Sequence, residues 1–562
     1  MINALLSGVT GLKAHQTMLD VAGNNLSNVN TTGYKDSQVS FSSMLSDTLR
    51  DGAAPTAALG GTNPMQIGNG VRIAAIARNM SQGSLVNTGN PLDIAIEGAG
   101  YFTLHDGQQE LYTRVGAFAV DSDYYLVDPS TGYRVQRIGD IGVSEGFQNM
   151  TDNSIRIPYD KALAAQETTQ LRLAGNLSAD AYNPSRQILS SEMEYTQGES
   201  VVNDSVRFDQ LDQAVDLDAA DTLTVTGTRR DGSDVDVTID LYNAGESRFK
   251  TIREVFDEVD AEYANPADAS DQWSSMKLVN GEMRLEDAQA GYSQTDILLT
   301  YNAADSGTLE LPTYFKIIQA GGEATKQINM ELFDLQGNSH QASAFFVKQD
   351  AQNQWDLVLG TISGGGVKLD DRRIRGISFL ANGSFAGMNE SIGDDAEWRI
   401  YYPNDIDSQR TVSFDFGDVG EFGGLTQFGG PSTAAPSSQN GYAAGWLSSL
   451  SVGQDGVLVG VFTNGVRIDV AALKLATFRN PAGLKDEGDG YFTPSANSGD
   501  PVPSQALEGG TGTVHGGSLE KSNVDVAAEF VHLIEAQNGF QANARTITIS
   551  NEVLQELSQL IR

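Results

Sequence analysis

Residues 524–562 read VDVAAEFVHLIEAQNGFQANARTITISNEVLQELSQLIR, and Leu533, Phe540, Ile547, Leu554 and Ile561 recur in them at intervals of seven. A seven-residue repeat draws one narrow apolar seam along a helix, the geometry of coiled-coil packing. A matching row, Leu5, Leu12, Leu19 and Leu26, opens the chain, with Ile2 and Val9 three residues ahead of it. Neither helix buries such a seam alone, so each needs a partner, most simply the other. The complementary C-terminal positions read as Phe530, Gln537, Ala544, Asn551 and Ser558; Gln, Asn and Ser there lower stability and fix register. Ser522 or Asn523 is the expected cap of this helix. The first helix, read over 3–27, carries Gly8, Gly11 and Gly23, each costing about 1 kcal/mol of helix propensity. It is expected to be marginal in a free subunit. Chain ends usually fray. Two ends that both carry a pairing signal point to a subunit of a polymer.

The 562 residues exceed one core and suggest roughly three or four domains. The 60 glycines, among many Asn, Ser, Thr and Asp, read as β structure with tight turns. The formal net charge of −37 argues against nucleic acid and anionic membrane surfaces as partners. Residues 197–314 hold 25 acidic against 8 basic side chains, whereas the first 50 residues hold three of each. The acidic segment is therefore expected to face solvent and the near-neutral ends to face partners. The absence of cysteine excludes disulfides, thiolate metal sites and thiol nucleophiles. No apolar run is long enough to span a membrane. The N-terminus lacks a secretory signal, so export, if it occurs, is expected to leave it uncleaved.

The pattern along the chain is nested. Residues 1–35 and 524–562 form a terminal helical domain, and 36–85, poor in periodicity, read as an extended, loop-like connector. From 86 the period becomes two, and Asn90-Pro91-Leu92 with Gly98-Ala99-Gly100-Tyr101-Phe102 is echoed by Asn480-Pro481 with Gly488-Asp489-Gly490-Tyr491-Phe492. One inner β domain is therefore expected from 86–165 with 405–515. A middle β domain is read from 166–196 with 315–404, and an outer acidic α+β domain from 197–314. In the last, Leu223 and Val225 alternate into a turn at Asp231-Gly232 and back through Val235, Val237, Ile239 and Leu241. An amphipathic helix follows near 248–263, then a hairpin turning at Asn280-Gly281. The fold class is mainly β and multidomain, with long terminal α-helices in a coiled-coil-like inner domain and discontinuous nested domains.

No catalytic or metal constellation emerges. His15, His105, His340, His515 and His532 stand at no metal-ligand spacing, and phosphate-loop and nucleophile-elbow motifs are absent. Asp121 and Asp123 lack the glycine and terminal glutamate of a calcium loop. Gly509–Gly517 reads as a flexible link. No cofactor is expected.

Three segments resemble the bacterial flagellar rod and hook proteins. They are Ala22-Gly23-Asn24-Asn25-Leu26-Ser27-Asn28-Val29-Asn30-Thr31-Thr32-Gly33-Tyr34-Lys35, Asp93-Ile94-Ala95-Ile96-Glu97-Gly98-Ala99-Gly100-Tyr101-Phe102, and Gly517-Ser518-Leu519-Glu520-Lys521-Ser522-Asn523-Val524-Asp525. Phe333-Asp334-Leu335-Gln336-Gly337-Asn338, Gly424-Leu425-Thr426-Gln427-Phe428 and Asn440-Gly441-Tyr442 are similar to the hook members; rod members are shorter. The resemblance implies a structural, non-enzymatic subunit that polymerises with itself into a curved tube joining rod to filament and transmitting torque. It implies the distal rod protein, hook cap protein, hook–filament junction protein and flagellar type III export apparatus as partners, and an extracellular flagellar location. A distal rod or junction protein is the alternative within the family. A secreted β-scaffold enzyme is the alternative from another class, and would remain a discrete particle in the electron microscope.

Overall fold

The computed structural model describes residues 2–56, 59–364, 367–388, 395–402, 405 and 407–560; Ile561 of the C-terminal seam and the side chain of Ile2 lie outside the described residues. Among the described residues three α-helices stand with many short strands: α1 (Ile2–Ser27), α2 (Ile252–Glu262) and α3 (Val526–Leu560). The chain divides into two compact units, one made of both flanks up to Leu163 and from Gly445, the other of Ala164–Ala444.

In the flanking unit a nine-stranded sheet takes strands from both ends of the chain, among them Tyr101–His105 and Glu110–Thr113 with Leu475–Thr477 and Tyr491–Thr493. The echoed Tyr-Phe pairs thus lie in one sheet, where Tyr101 meets Phe492 and Phe478 edge to face, at ring centroids 6.1 and 5.7 Å apart. Beside it a four-stranded sheet pairs Arg137–Ile138 with Arg467–Leu473, then Val457–Phe462 and Leu447–Val452. Their inward residues, including Ile94, Phe102, Leu104, Leu458, Val470 and Leu475, form one core.

Two readings change here. The connector 36–85 is not loop-like: Ser37–Ser43 pairs antiparallel with Val71–Arg78, and Asp47–Arg50 with Met65–Ile67. This ribbon leaves nearly every residue half-buried or exposed. Alternation in sequence arises where one face of a strand is buried, so a ribbon without a buried face carries no such signal. The glycine-rich 509–517 segment is also no free link. Thr513–Gly516 pairs with Ile94–Glu97, and a Cβ on Gly512 would strike the carbonyl of Glu97.

The central unit holds sheets of six, five, four and three strands, with smaller two-stranded ribbons. An antiparallel meander of Thr325–Phe333, Ser339–Lys348, Gln354–Ile362, Arg373–Phe379 and Phe385–Met388 lies at its middle. Its alternate side chains go to two cores. Ala344, Phe346, Trp355 and Leu357 join Leu171, Leu173, Trp398 and Val412 on one face. Phe345, Val347 and Val358 join α2 and the acidic module on the other. Period-two alternation with both faces buried is what a central layer requires.

This stacking moves the sequence-derived boundaries. Ile188–Glu194 and Lys316–Gln319, assigned above to the middle domain, pair with each other and belong to the outer sheet with Glu282–Asp287. Arg410–Asp415, Leu425–Phe428 and Ala435–Gln439, assigned to the inner domain, flank Gln170–Ser178 in the middle domain. Strand pairing between distant segments set these limits, and local pattern does not report it.

In the outer module the two anticipated hairpins form, Thr222–Thr228 with Asp234–Asp240 and Ser274–Val279 with Glu282–Asp287. The helix α2 begins at Ile252 because Thr251 caps it: Thr251 Oγ1 accepts from the Glu254 N–H, and Glu254 Oε2 accepts from the Thr251 N–H at 2.7 Å. Ile252, Val255, Phe256 and Val259 face the core.

Near the end of α2, burial pushes the Asp260 carboxyl up to about 6 from 3.8, although it accepts the Met276 N–H. The folded pKa lies above the unfolded one. This group therefore stabilises the module fully only below pH about 4, and that stability fades as pH rises through about 6. Asp260→Asn keeps the acceptor and removes the buried charge. It is expected to stabilise the unit by on the order of 1–2 kcal/mol at pH 8 and by nothing measurable at pH about 4, read by urea unfolding at both pH values.

Candidate functional site

The two terminal helices pack against each other in a single chain. Besides the half-buried His532, Gly539 and Ala544, α3 carries one row of half-buried or buried positions, Glu529, Leu533, Ala536, Phe540, Asn543, Ile547, Ser550 and Leu554. Their alternating spacing of four and three is the seam pattern of a coiled coil. Leu533, Phe540, Ile547 and Leu554 of the anticipated row stand in it. The companion row as a whole does not: Gln537, Asn551 and Ser558 are exposed, Phe530 is 51% exposed on the opposite side, and Ala544 alone of the five is half-buried. Both choices of companion row fit a heptad, and only the position of α1 selects between them.

The partner face of α1 is built of small residues. A Cβ on Gly8 would meet Ile547 Cγ1 at 3.0 Å, one on Gly11 would meet Asn543 Oδ1 at 2.6 Å, and one on Gly539 would strike the His15 ring. Gly8 and Gly11, two of the three glycines that weaken the isolated helix, thus let the two backbones approach and seat side chains in notches, whereas Gly23 faces open space. Leu5, Leu12, Leu19 and Leu26 are only half-buried. Each follows a seam position by one residue, about a quarter-turn round the helix. On the other flank of α1 lies the ribbon, where Gly70 sits against Thr10 and Ser7.

At the root of the helical pair the resemblance motifs converge on a buried polar knot. Asn25 Nδ2 donates to Glu529 Oε1 at 3.0 Å and to the Ser37 carbonyl at 2.8 Å, while its Oδ1 accepts the Ser37 N–H and the Tyr34 hydroxyl. Asn24 Nδ2 donates to the Tyr34 oxygen at 3.2 Å, and Asn28 Nδ2 folds back on the Asn24 carbonyl at 2.9 Å. Asn30 is exposed and engages nothing in this knot. Lys35 Nζ donates to Glu520 Oε1 at 2.6 Å and to the Ser81 carbonyl at 2.7 Å, both charged side chains being 1% exposed. Burial draws the Lys35 ammonium below its usual range, against the pull of Glu520. Arg114 lies 3.6 Å from Glu520 Oε2, donates to the Gly98 carbonyl and covers the Tyr101 ring. Gly33, at φ 69°, donates its N–H to the Glu520 carbonyl at 2.8 Å. A side chain at Gly33 would be strained and would press on Val115.

Asn523 does not cap α3. Its Oδ1 accepts the Asp36 N–H and its Nδ2 donates to the Asn79 carbonyl, both at 2.8 Å, tying the C-terminal segment to the ribbon. Asp525 Oδ1 is the cap, accepting the N–H groups of Ala527 and Ala528 at 2.8 and 3.2 Å; Ser522 Oγ accepts only the Val524 N–H. Asp93 braces a turn, accepting from Thr88 Oγ1 at 2.6 Å and from Asn90 Nδ2 at 3.1 Å. Gly98 and Gly100 let the 511–512 backbone approach, and Phe102 fills the core beneath. Arg114 and Glu529 complete the knot but carry no sequence signal of their own, while Lys35 and Glu520 stand in the resembled segments without any sign that they meet; only the chain crossing brings the four together. The five histidines are dispersed. Among the described residues no cluster of His, Asp and Glu could hold a metal ion, and no helix is long and apolar enough to cross a membrane.

Family models match along most of this architecture. Flagella basal body rod protein matches residues 5–35, flagellar hook protein FlgE/F/G D1 domain 95–168, flagellar basal body protein FlaE D2 domain 302–442, and flagellar basal body rod FlgEFG protein C-terminal 515–560. The flagellar hook protein FlgE of Treponema pallidum is 30% identical over 573 residues, and that of Borreliella burgdorferi 29% over 567, each match covering the whole of both chains. A crystal structure of Helicobacter pylori flagellar hook protein FlgE2 aligns with 76% of this chain and 99% of its own, at 16% identity and a TM-score of 0.38. By its full-length similarity to the Treponema pallidum and Borreliella burgdorferi proteins, the chain belongs to the flagellar hook protein family and is a structural subunit of the flagellar hook.

Proposed function

We propose that this subunit polymerises through its terminal helices, using faces that a single chain leaves uncovered. One observation carries the reading. On the side of α3 away from α1, Phe530, Val531, Ile534, Ile549 and Val553 are exposed, Ile534 by 57%. The half-buried row Leu5, Leu12, Leu19 and Leu26 adds a second apolar strip on α1. Apolar surface of this extent on a soluble subunit marks a contact with another molecule. In the assembled state neighbouring copies cover both strips and the helices line the inner wall of a curved tube. The tube links rod to filament and transmits torque without catalysing any reaction. Its partners are the distal rod, hook cap and hook–filament junction proteins, and the flagellar type III apparatus exports it with its N-terminus uncleaved.

The test is Phe530→Asp with Ile534→Asp. Both side chains are exposed in the monomer, so melting temperature and circular dichroism are expected to stay unchanged. Charge on a surface that must be buried costs several kcal/mol per subunit contact, so polymer in the electron microscope is expected to disappear. Normal tubes from the double variant would sink the reading.

A further inference from the structure

A cavity of about 300 Å³ opens on the outer module, between the hairpin turn at Arg230 and Asp231, the inter-strand residues Trp273 and Tyr292, and the turn at Asp350. We propose that this cavity binds a pyranose sugar, stacked on Trp273 and held at its rim by Arg230, Asp231 and Asp350.

The walls are set before any ligand arrives. Trp273 Nε1 donates to Asp271 Oδ2 at 3.1 Å, and the Tyr292 hydroxyl donates to Asp356 Oδ2 at 2.5 Å, so both rings are tethered. The Arg230 guanidinium donates to the Gln289 and Ala290 carbonyls at 2.6 and 2.9 Å. Asp231 Oδ1 accepts the hydroxyl and the N–H of Ser233. Preorganised walls lower the ordering cost of binding.

The lining selects the chemistry. A pyranose has an apolar face of C–H groups and a rim of hydroxyls that both donate and accept. An indole ring suits the first, and a fixed mixture of guanidinium, amide and carboxylate suits the second. An apolar ligand would leave the charged walls unpaired. An anion would face three carboxylates, Asp231, Asp271 and Asp350, against one guanidinium. An alkylammonium is the nearest competitor, since aromatic faces and carboxylates attract it, but Arg230 places a positive charge in the same wall. A neighbouring cavity of about 380 Å³ offers less. Its Arg372 and Arg373 are committed to Asp296 and Asp356, at 2.8 and 3.2 Å.

The full chain is titrated by calorimetry with chitotriose, with maltotriose and, at matched ionic strength, with tetramethylammonium chloride. Saturable binding of at least one saccharide and none of the ammonium salt is expected. Trp273→Ala is expected to weaken that binding by about tenfold or more, equivalent to ~1.4 kcal/mol, and Trp273→Phe to restore most of it. Asp350→Ala, on an exposed turn outside the core, is expected to weaken it with the melting temperature unchanged. Absence of any saturable saccharide signal, binding indifferent to both the Trp273 and Asp350 variants, or binding of the ammonium salt in place of sugar would each overturn the proposal.

Discussion

Glu520→Ala is expected to release the helical pair from its β domain, at a cost on the order of 3–5 kcal/mol, because it leaves buried cations without their partner. Glu520 Oε1 accepts from Lys35 Nζ and from the Gly83 N–H, and Arg114 stands opposite Oε2. These groups belong to four segments, at 33–36, 81–83, 114 and 517–525, that nothing local in sequence joins. With the carboxylate gone, Lys35 must either lose its proton or leave the interior. Hydrogen exchange in residues 1–35 and 524–560 is the direct measurement, and it should quicken while the nine-stranded sheet stays protected. Glu520→Gln keeps the acceptor and the shape, and should lie between. Apolar replacement of both partners, Lys35→Met with Glu520→Leu, should recover part of the loss, since it removes two of the three buried charges together and leaves Arg114 its bond to the Gly98 carbonyl. Unchanged protection of both ends in Glu520→Ala would show that the knot does not hold them.

Deleting the acidic segment 197–314 is expected to leave the central unit insoluble. The segment removes α2 and most of the core that covers Phe345, Val347 and Val358 of the meander, and it strands Ile188–Glu194 and Lys316–Gln319 without their neighbour Glu282–Asp287. Each large apolar side chain returned to water costs about 1.5–3 kcal/mol, so three of them exceed half the stability of an ordinary domain. A cut that follows strand pairing, removing about 185–321 and adding polar residues at positions 345, 347 and 358, should fold. Limited proteolysis distinguishes the two. A soluble, protease-resistant core from the first deletion would show that the outer module is an independent appendage.

The sequence by itself determined what depends on neighbours along the chain. The heptad row of α3, the amphipathic run of α2 and the hairpin turns at Asp231-Gly232 and Asn280-Gly281 each follow from spacing along the chain, although the Thr251 cap that starts α2 was not read there. The motifs around Asn25, Gly98 and Asn523 were legible as a family resemblance, though nothing in them revealed that they meet. Tertiary structure alone decided the rest. The companion row of the α3 seam depends on where α1 approaches, and Gly8, Gly11 and Gly539 mark that approach only once both helices are placed. The ribbon at 37–78 buries no face, so its pairing leaves no period. Module limits near 185, 321 and 444 are set by strands that pair across more than a hundred residues. Lys35 and Glu520, 485 positions apart, find each other only when the two ends of the chain are brought together. Local pattern records the burial of one face of one element; it does not record which element does the burying, because that choice is made by packing energies summed over segments the pattern never compares.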